Sequence, residues 1–93
     1  MIRVFIERHV PTELTDAYNS LARENLQTAM STTGFISGEV LHDISDTEKR
    51  LIVATYRTLS DWSRWYHSEE RRQMMDRIGP MLEHEEKITI YEL

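Results

Sequence analysis

No cysteine occurs in the 93 residues. Its absence excludes a disulfide scaffold, a thiolate zinc site, an iron–sulfur cluster and a cysteine nucleophile. Basic charge is also scarce: eleven Lys and Arg face sixteen Asp and Glu, for a net charge of −5 and a pI of about 5.3. That balance argues against nonspecific binding to nucleic acid or to an anionic membrane surface. Nowhere does the chain approach the ~20 successive apolar residues of a membrane span. The opening Met1-Ile2-Arg3-Val4-Phe5-Ile6-Glu7 is charged by its third residue and lacks the apolar core of a signal peptide. A cytoplasmic protein is expected, with neither a nucleic-acid nor a membrane partner. The length predicts one domain over residues 1–93. A chain this short buries only about 60–65% of its unfolded surface, so a second copy would add core that one copy lacks.

Proline occurs twice and glycine three times, and each occurrence marks an edge. From Ile2 to Val10, the apolar Ile2, Val4, Ile6 and Val10 alternate with polar residues, which predicts a strand. Pro11 ends it, and Thr12 is the expected cap of a helix over about Glu13–Ser31, with Leu14, Tyr18, Leu21, Asn25 and Ala29 on one stripe. Gly34 suits a left-handed position after that helix. Phe35–Ile44 predicts a second strand and Lys49–Thr58 a third, whose nearly continuous apolar run suggests burial on both faces. Ser60 is expected to cap a second helix carrying Trp62, Trp65, Tyr66, Met74, Met75 and Ile78, broken near Gly79-Pro80. Ile88–Leu93 alternates as a last strand.

The order βαββαβ predicts an α+β, ferredoxin-like fold: a four-stranded antiparallel sheet with two helices on one face. Strand residues of both parities include large apolar side chains. Phe5 is out of phase with Ile2, Val4 and Ile6, and Leu51 and Val53 are out of phase with Ile52, Ala54 and Tyr56. A solvated sheet face should be cleaner. The expectation is a symmetric homodimer in which a second copy covers that face, sheet against sheet.

Familiar catalytic signatures are absent. Gly34-Phe35-Ile36-Ser37-Gly38 places its serine one position late for a nucleophile elbow, and a strand follows. There is no H-E-x-x-H, phosphate loop or dinucleotide fingerprint, and His67-Ser68-Glu69-Glu70 and His84-Glu85-Glu86 lack metal-ligand spacing. No metal is expected. Arg71 and Arg72 follow Glu69 and Glu70 on one helix, which predicts local ion pairs. What remains is aromatic crowding, with Trp62 and Tyr66 at i, i+4 and Trp65 between that face and the flank. Packed over a sheet face that carries Ile6, Arg8 and Tyr56, this helix would close an apolar cleft with polar Arg8, His42, Tyr56 and His67, the usual composition of a small-molecule site. Aromatics at this spacing are equally explained as core.

These residues carry a resemblance to the antibiotic biosynthesis monooxygenase (ABM) family of the dimeric α+β barrel superfamily. It rests on the strand Ile2–His9, on Gly34-Phe35-Ile36-Ser37-Gly38-Glu39, on Ser60-x-Trp62-x-x-Trp65-x-x-Ser68-x-Glu70-Arg71 and on Ile88-x-Ile90-Tyr91. The resemblance implies a ferredoxin-like protomer that dimerises through its sheets. It also implies O₂ chemistry without a bound cofactor, in which an electron-rich quinol, phenol or polyketide-like substrate itself reduces O₂. Trp65 stands where many quinol-oxidising members have His and where the haem-degrading branch has Trp; Arg8 falls near that branch's first-strand Asn. Met75 stands where that branch has its haem-ligating His, so haem degradation is not expected. The quinol-type His is absent, and the expected site has Arg8, His42 and His67 as catalytic residues in its stead, with Ile6, Tyr56, Trp62, Trp65 and Tyr66 against the substrate. The alternative is a non-catalytic small-molecule-binding or interaction module of the same fold.

Overall fold

In the computed structural model, which describes residues 1–93, the two-residue alternation of the N-terminus becomes strand β1, Ile2–His9. Ile2, Val4, Ile6 and Arg8 are buried on one face, and Arg3, Phe5, Glu7 and His9 point to the other. Helix α1 (Thr15–Met30) follows, then β2 (Phe35–His42), β3 (Lys49–Tyr56), α2 (Leu59–Tyr66), α3 (Glu69–Ile78) and β4 (Lys87–Glu92). The strands form one antiparallel sheet in the order β2-β3-β1-β4, so the two apolar strands are central, and the fold is ferredoxin-like α+β. No helix is long and apolar enough to cross a membrane.

The core lies between the helices and one sheet face. Ile2, Val4, Ile6, Ala54 and Tyr56 from the sheet pack with Ala29 of α1 and with Trp62 and Trp65 of α2. A second cluster, Val10, Tyr18 and Ile78, ties α1 to the end of α3. Burying each large side chain contributes about 1.5–3 kcal/mol, so these clusters hold the helices on the sheet more firmly than any single polar contact does.

The helix boundaries differ from those expected, for local reasons. Thr12 does not cap α1: Pro11 opens a 3₁₀ turn over Thr12–Leu14, and the α-helix starts at Thr15. The Thr12 backbone N–H (2.7 Å) and hydroxyl (2.9 Å) instead both donate to Glu48 Oε2, joining the start of α1 to the β2–β3 turn. Strand β2 ends at His42 because Asp43 Oδ1 accepts from the backbone N–H of Ser45 (2.8 Å) and of Asp46 (3.2 Å), an Asx turn. Strand β3 stops at Tyr56, and Thr58, not Ser60, caps α2: its hydroxyl accepts from the Asp61 N–H at 3.1 Å. The expected second helix is two helices. The first ends at Tyr66, and Ser68 caps α3 by accepting from the Arg71 N–H at 3.2 Å.

Gly34 makes the turn from α1 into β2 at φ +84°, where a side chain is disfavoured by about 1–2 kcal/mol. A Cβ there would also overlap the Asp61 carboxylate of α2. Its carbonyl accepts the Arg57 N–H at 2.8 Å, so this turn, the end of β3 and the start of α2 are one joint. The capping assignment is directly testable by urea unfolding. Thr58→Ala should lower stability by about 1 kcal/mol, while Ser60→Ala should change it by less than about 0.5 kcal/mol. The reverse order would place the cap at Ser60.

Candidate functional site

Register lays the helix-covered sheet face out in cross-strand rows. At one end Tyr56 of β3 stands opposite Ile2 of β1 and Phe35 of β2. Next come Ala54, Val4 and Gly38, then Ile52, Ile6 and Val40. At the far end Arg50 stands between Arg8 and His42. The face therefore grades from aromatic through aliphatic to cationic along a single direction. Helix α1 and the α2–α3 segment cover the central strands without filling the space, leaving a cavity of about 350 Å³ that opens along the β2 edge, where Val40 and His42 are exposed.

The aromatic end is built from edge contacts. Tyr56 meets Phe35 at 5.5 Å between centroids and 89°, and meets Trp62 at 5.5 Å and 69°. Trp62 and Trp65 are both buried and both line the cavity. Burial pushes the Tyr56 phenol above its usual pKa, and a hydrogen bond with Thr32 partly offsets this. Tyr56 therefore stays neutral and is a hydrogen-bonding group rather than a base. Gly38 provides floor space, since a Cβ there would sit 3.2 Å from the Phe35 ring.

At the polar end, Arg8 is 2% exposed and held by three partners. Nε donates to Glu86 Oε2 at 2.8 Å, Nη1 to the Tyr18 hydroxyl at 3.1 Å, and Nη2 to Met75 Sδ at 3.6 Å. Burial disfavours the charge, but Tyr18 and Glu86 outweigh it, and the Arg8 pKa lies above the ordinary arginine value. Glu86 also pairs with Arg71, whose guanidinium lies 4.5 Å over the Tyr66 ring. Arg71 thus does not make the local helix pair expected for it. Arg72 does, with Glu69 and with Asp76 at 3.2 Å, because capping by Ser68 sets α3 in a phase that turns Arg71 inward and Arg72 outward.

Of the site residues expected from the sequence, Ile6, Arg8, His42, Tyr56, Trp62 and Trp65 line this one cavity. Tyr66 and His67 do not. Tyr66 is largely exposed and stacks near Arg71, and His67 is exposed, with Nδ1 2.9 Å from the Ser63 carbonyl at the end of α2. Tyr66 keeps its i, i+4 contact with Trp62, at 5.7 Å between centroids, but lies on the outer side under Arg71, and His67 is the residue that ends α2. Six further polar residues on the cavity wall are not among those expected: Tyr18, Asn19, Arg23, Asn25, Arg50 and Arg71. The α1 stripe predicts burial for Tyr18 and Asn25 but gives no polar partner. Arg50 was hidden within an apolar strand. No three His, Asp or Glu side chains come together in a way that could hold a metal ion.

Known proteins share this architecture. The sequence profile described as antibiotic biosynthesis monooxygenase matches residues 1–77. No curated protein matches the chain significantly. Among solved structures, a conserved protein from Methanosarcina mazei Go1 superposes with a TM-score of 0.91 at 18% identity, covering 98% of this chain and 90% of that one. A Deinococcus radiodurans protein gives 0.91 at 19% identity, covering 100% and 92%. A variant of SnoaB, a cofactor-independent oxygenase from Streptomyces nogalater, gives 0.85 at 9% identity, covering 99% and 92%. At these identities the superpositions establish the fold, while the profile match over most of the chain establishes the kinship. The chain belongs to the antibiotic biosynthesis monooxygenase family.

Proposed function

We propose that this protein is a cofactor-independent monooxygenase that oxidises a small, electron-rich aromatic substrate, a quinol, a phenol or a polyketide-like ring, within the cytoplasm. The observation that carries the reading is the cavity itself, apolar and aromatic over most of its wall, with Arg8 and Tyr18 converging at one end. For a phenol the balance needs no added reductant. One atom of O₂ becomes the new quinone carbonyl, and the other leaves as water with the two displaced hydrogens. Deprotonation is the step the protein can assist, because the phenolate gives up electrons far more readily than the phenol.

In this reading Trp62, Trp65, Tyr56 and Ile6 hold the ring in a dry environment, and Arg8 donates to the substrate oxygen as its charge develops. A guanidinium has five N–H donors, and Arg8 directs three of its nitrogens at fixed partners while keeping N–H groups to spare. His42, beside Arg50 on the same cross-strand row, takes the proton. His67 has no part, since it lies outside the cavity. His42 makes no side-chain hydrogen bond that would orient it, which favours one competing reading, a binding module without turnover. Kinetics decide between them. With a quinol panel, substrate loss should occur in air and cease under argon, and His42→Ala should lower kcat by about 10²-fold with the fold intact by circular dichroism. Equal loss with and without O₂ would contradict the oxygenase reading, and an unchanged kcat would remove His42 from it.

The second face of the sheet bears on assembly. Phe5, Leu41, Leu51 and Tyr91 lie on the side the helices leave bare, with Phe5 and Tyr91 edge to face at 5.3 Å. We propose that a second copy covers it, completing a dimeric α+β barrel. Light scattering at micromolar concentration should then give twice the 11.1 kDa chain mass. Leu51→Glu, at the middle of the face, should return it to one chain. A single-chain mass for the unaltered protein would contradict the dimer.

A further inference from the structure

The wall of the cavity is charged against the grain of the chain. Four of the nine arginines, Arg8, Arg23, Arg50 and Arg71, line it, and no Asp or Glu does. One carboxylate stands behind that wall: Glu86, shared between Arg8 and Arg71. Arg50 has no carboxylate partner, although it is only 4% exposed. Its hydrogen bonds run from Nη1 to two neutral carbonyls, those of Thr47 and Glu48, both at 3.2 Å, and its Nε is buried without any partner. The Tyr18 ring lies 5.7 Å from its guanidinium carbon, a weak substitute for a counter-charge.

Placement makes this cost larger. Arg50 and Arg8 are directly opposed residues on neighbouring central strands. Like charges in that arrangement destabilise a sheet, and an unpaired buried charge costs more than an exposed one. What Arg50 gives the fold is two carbonyl hydrogen bonds in the β2–β3 turn and its contact with the Tyr18 ring, and neither answers its charge. A bound anion at this end would relieve both penalties together.

We propose that the ligand of this cavity is an aromatic anion, with its carboxylate or ionised oxygen at the Arg50–Arg8 row and its ring directed toward Trp62 and Tyr56. The inference rests on the cavity being the ligand site, as in the preceding reading, but not on oxygen chemistry. Arg50 is the selecting residue, because its charge has no carboxylate partner, whereas that of Arg8 is already answered by Glu86. The grading of the wall fixes the direction of binding: the rows between the two ends, Ile6–Ile52–Val40 and Val4–Ala54–Gly38, are aliphatic and suit the body of a fused ring.

Calorimetric titration of the full chain with 2-naphthoate and with its neutral isostere 2-naphthamide at pH 7 tests this without turnover. The naphthoate should bind the unaltered protein about tenfold or more tightly than the amide. Arg50→Gln should abolish the preference, and Arg50→Lys, which keeps the charge, should retain most of it. Equal binding of the two probes, binding of neither, or an Arg50→Gln protein that still prefers the anion would each overturn the proposal. The comparison on the unaltered protein stands even if Arg50→Gln does not fold. Anion preference in a protein that never consumes O₂ would remove the oxygenase reading and leave this one. Oxygen consumption without anion preference would do the reverse.

Discussion

Glu86 is the constraint on which the far end of the molecule depends. It lies just before β4, and its two oxygens hold Arg8 of β1 and Arg71 of α3. Those contacts fix the last strand's approach, the sheet's central strand and the third helix relative to one another. Breaking such a pair by removing one partner typically costs about 3–5 kcal/mol, because the survivor is left buried and unpaired. The carboxylate thus stabilises the fold and also sets how much positive charge the cavity retains. Two guanidiniums are answered by it, and a third, Arg50, is not.

That imbalance gives the cavity a direction. Aromatic side chains gather where β3 ends and α2 begins, and guanidiniums gather where β3 starts, so the sheet's own register separates them by the length of a strand. The gradient is laid down by the sheet, with the β2–β3 turn holding Arg50 at its cationic end. It follows from the strand alternation that puts Ile2, Val4, Ile6 and Arg8 on a single face. A ring with one polar edge fits such a surface in one orientation, and oriented binding is what selective oxidation of one ring carbon needs.

Much of the fold was legible in the sequence, because the signals were periodic and local. The alternation of Ile2–Val10, the stripe on α1 and the glycine at Gly34 each correspond to an observed element or joint. The caps were less legible. Thr12 and Thr58 both stand near helix starts, but which of them caps depends on Pro11 and on where β3 ends, and those are decided by packing. The break at His67 left only a weak trace, a serine followed by two glutamates, which reads equally well as helix interior and as a new start. His67 sits at that break, outside the cavity. Arg50 was illegible for a different reason. A charged residue near the start of a strand is usually solvated, and its burial comes from Tyr18 and from the β2–β3 turn, neither of which is adjacent to it in a way that spacing reveals.

The central claim is that the cationic row and the aromatic end act together on one ligand. The most direct measurement is a crystal structure of the protein bound to 2-naphthoate. The account predicts density for the carboxylate within hydrogen-bonding distance of Arg50 and for the ring system against Trp62 and Tyr56. A ligand bound outside the cavity, or one bound in it with its carboxylate turned away from Arg50, would contradict the account.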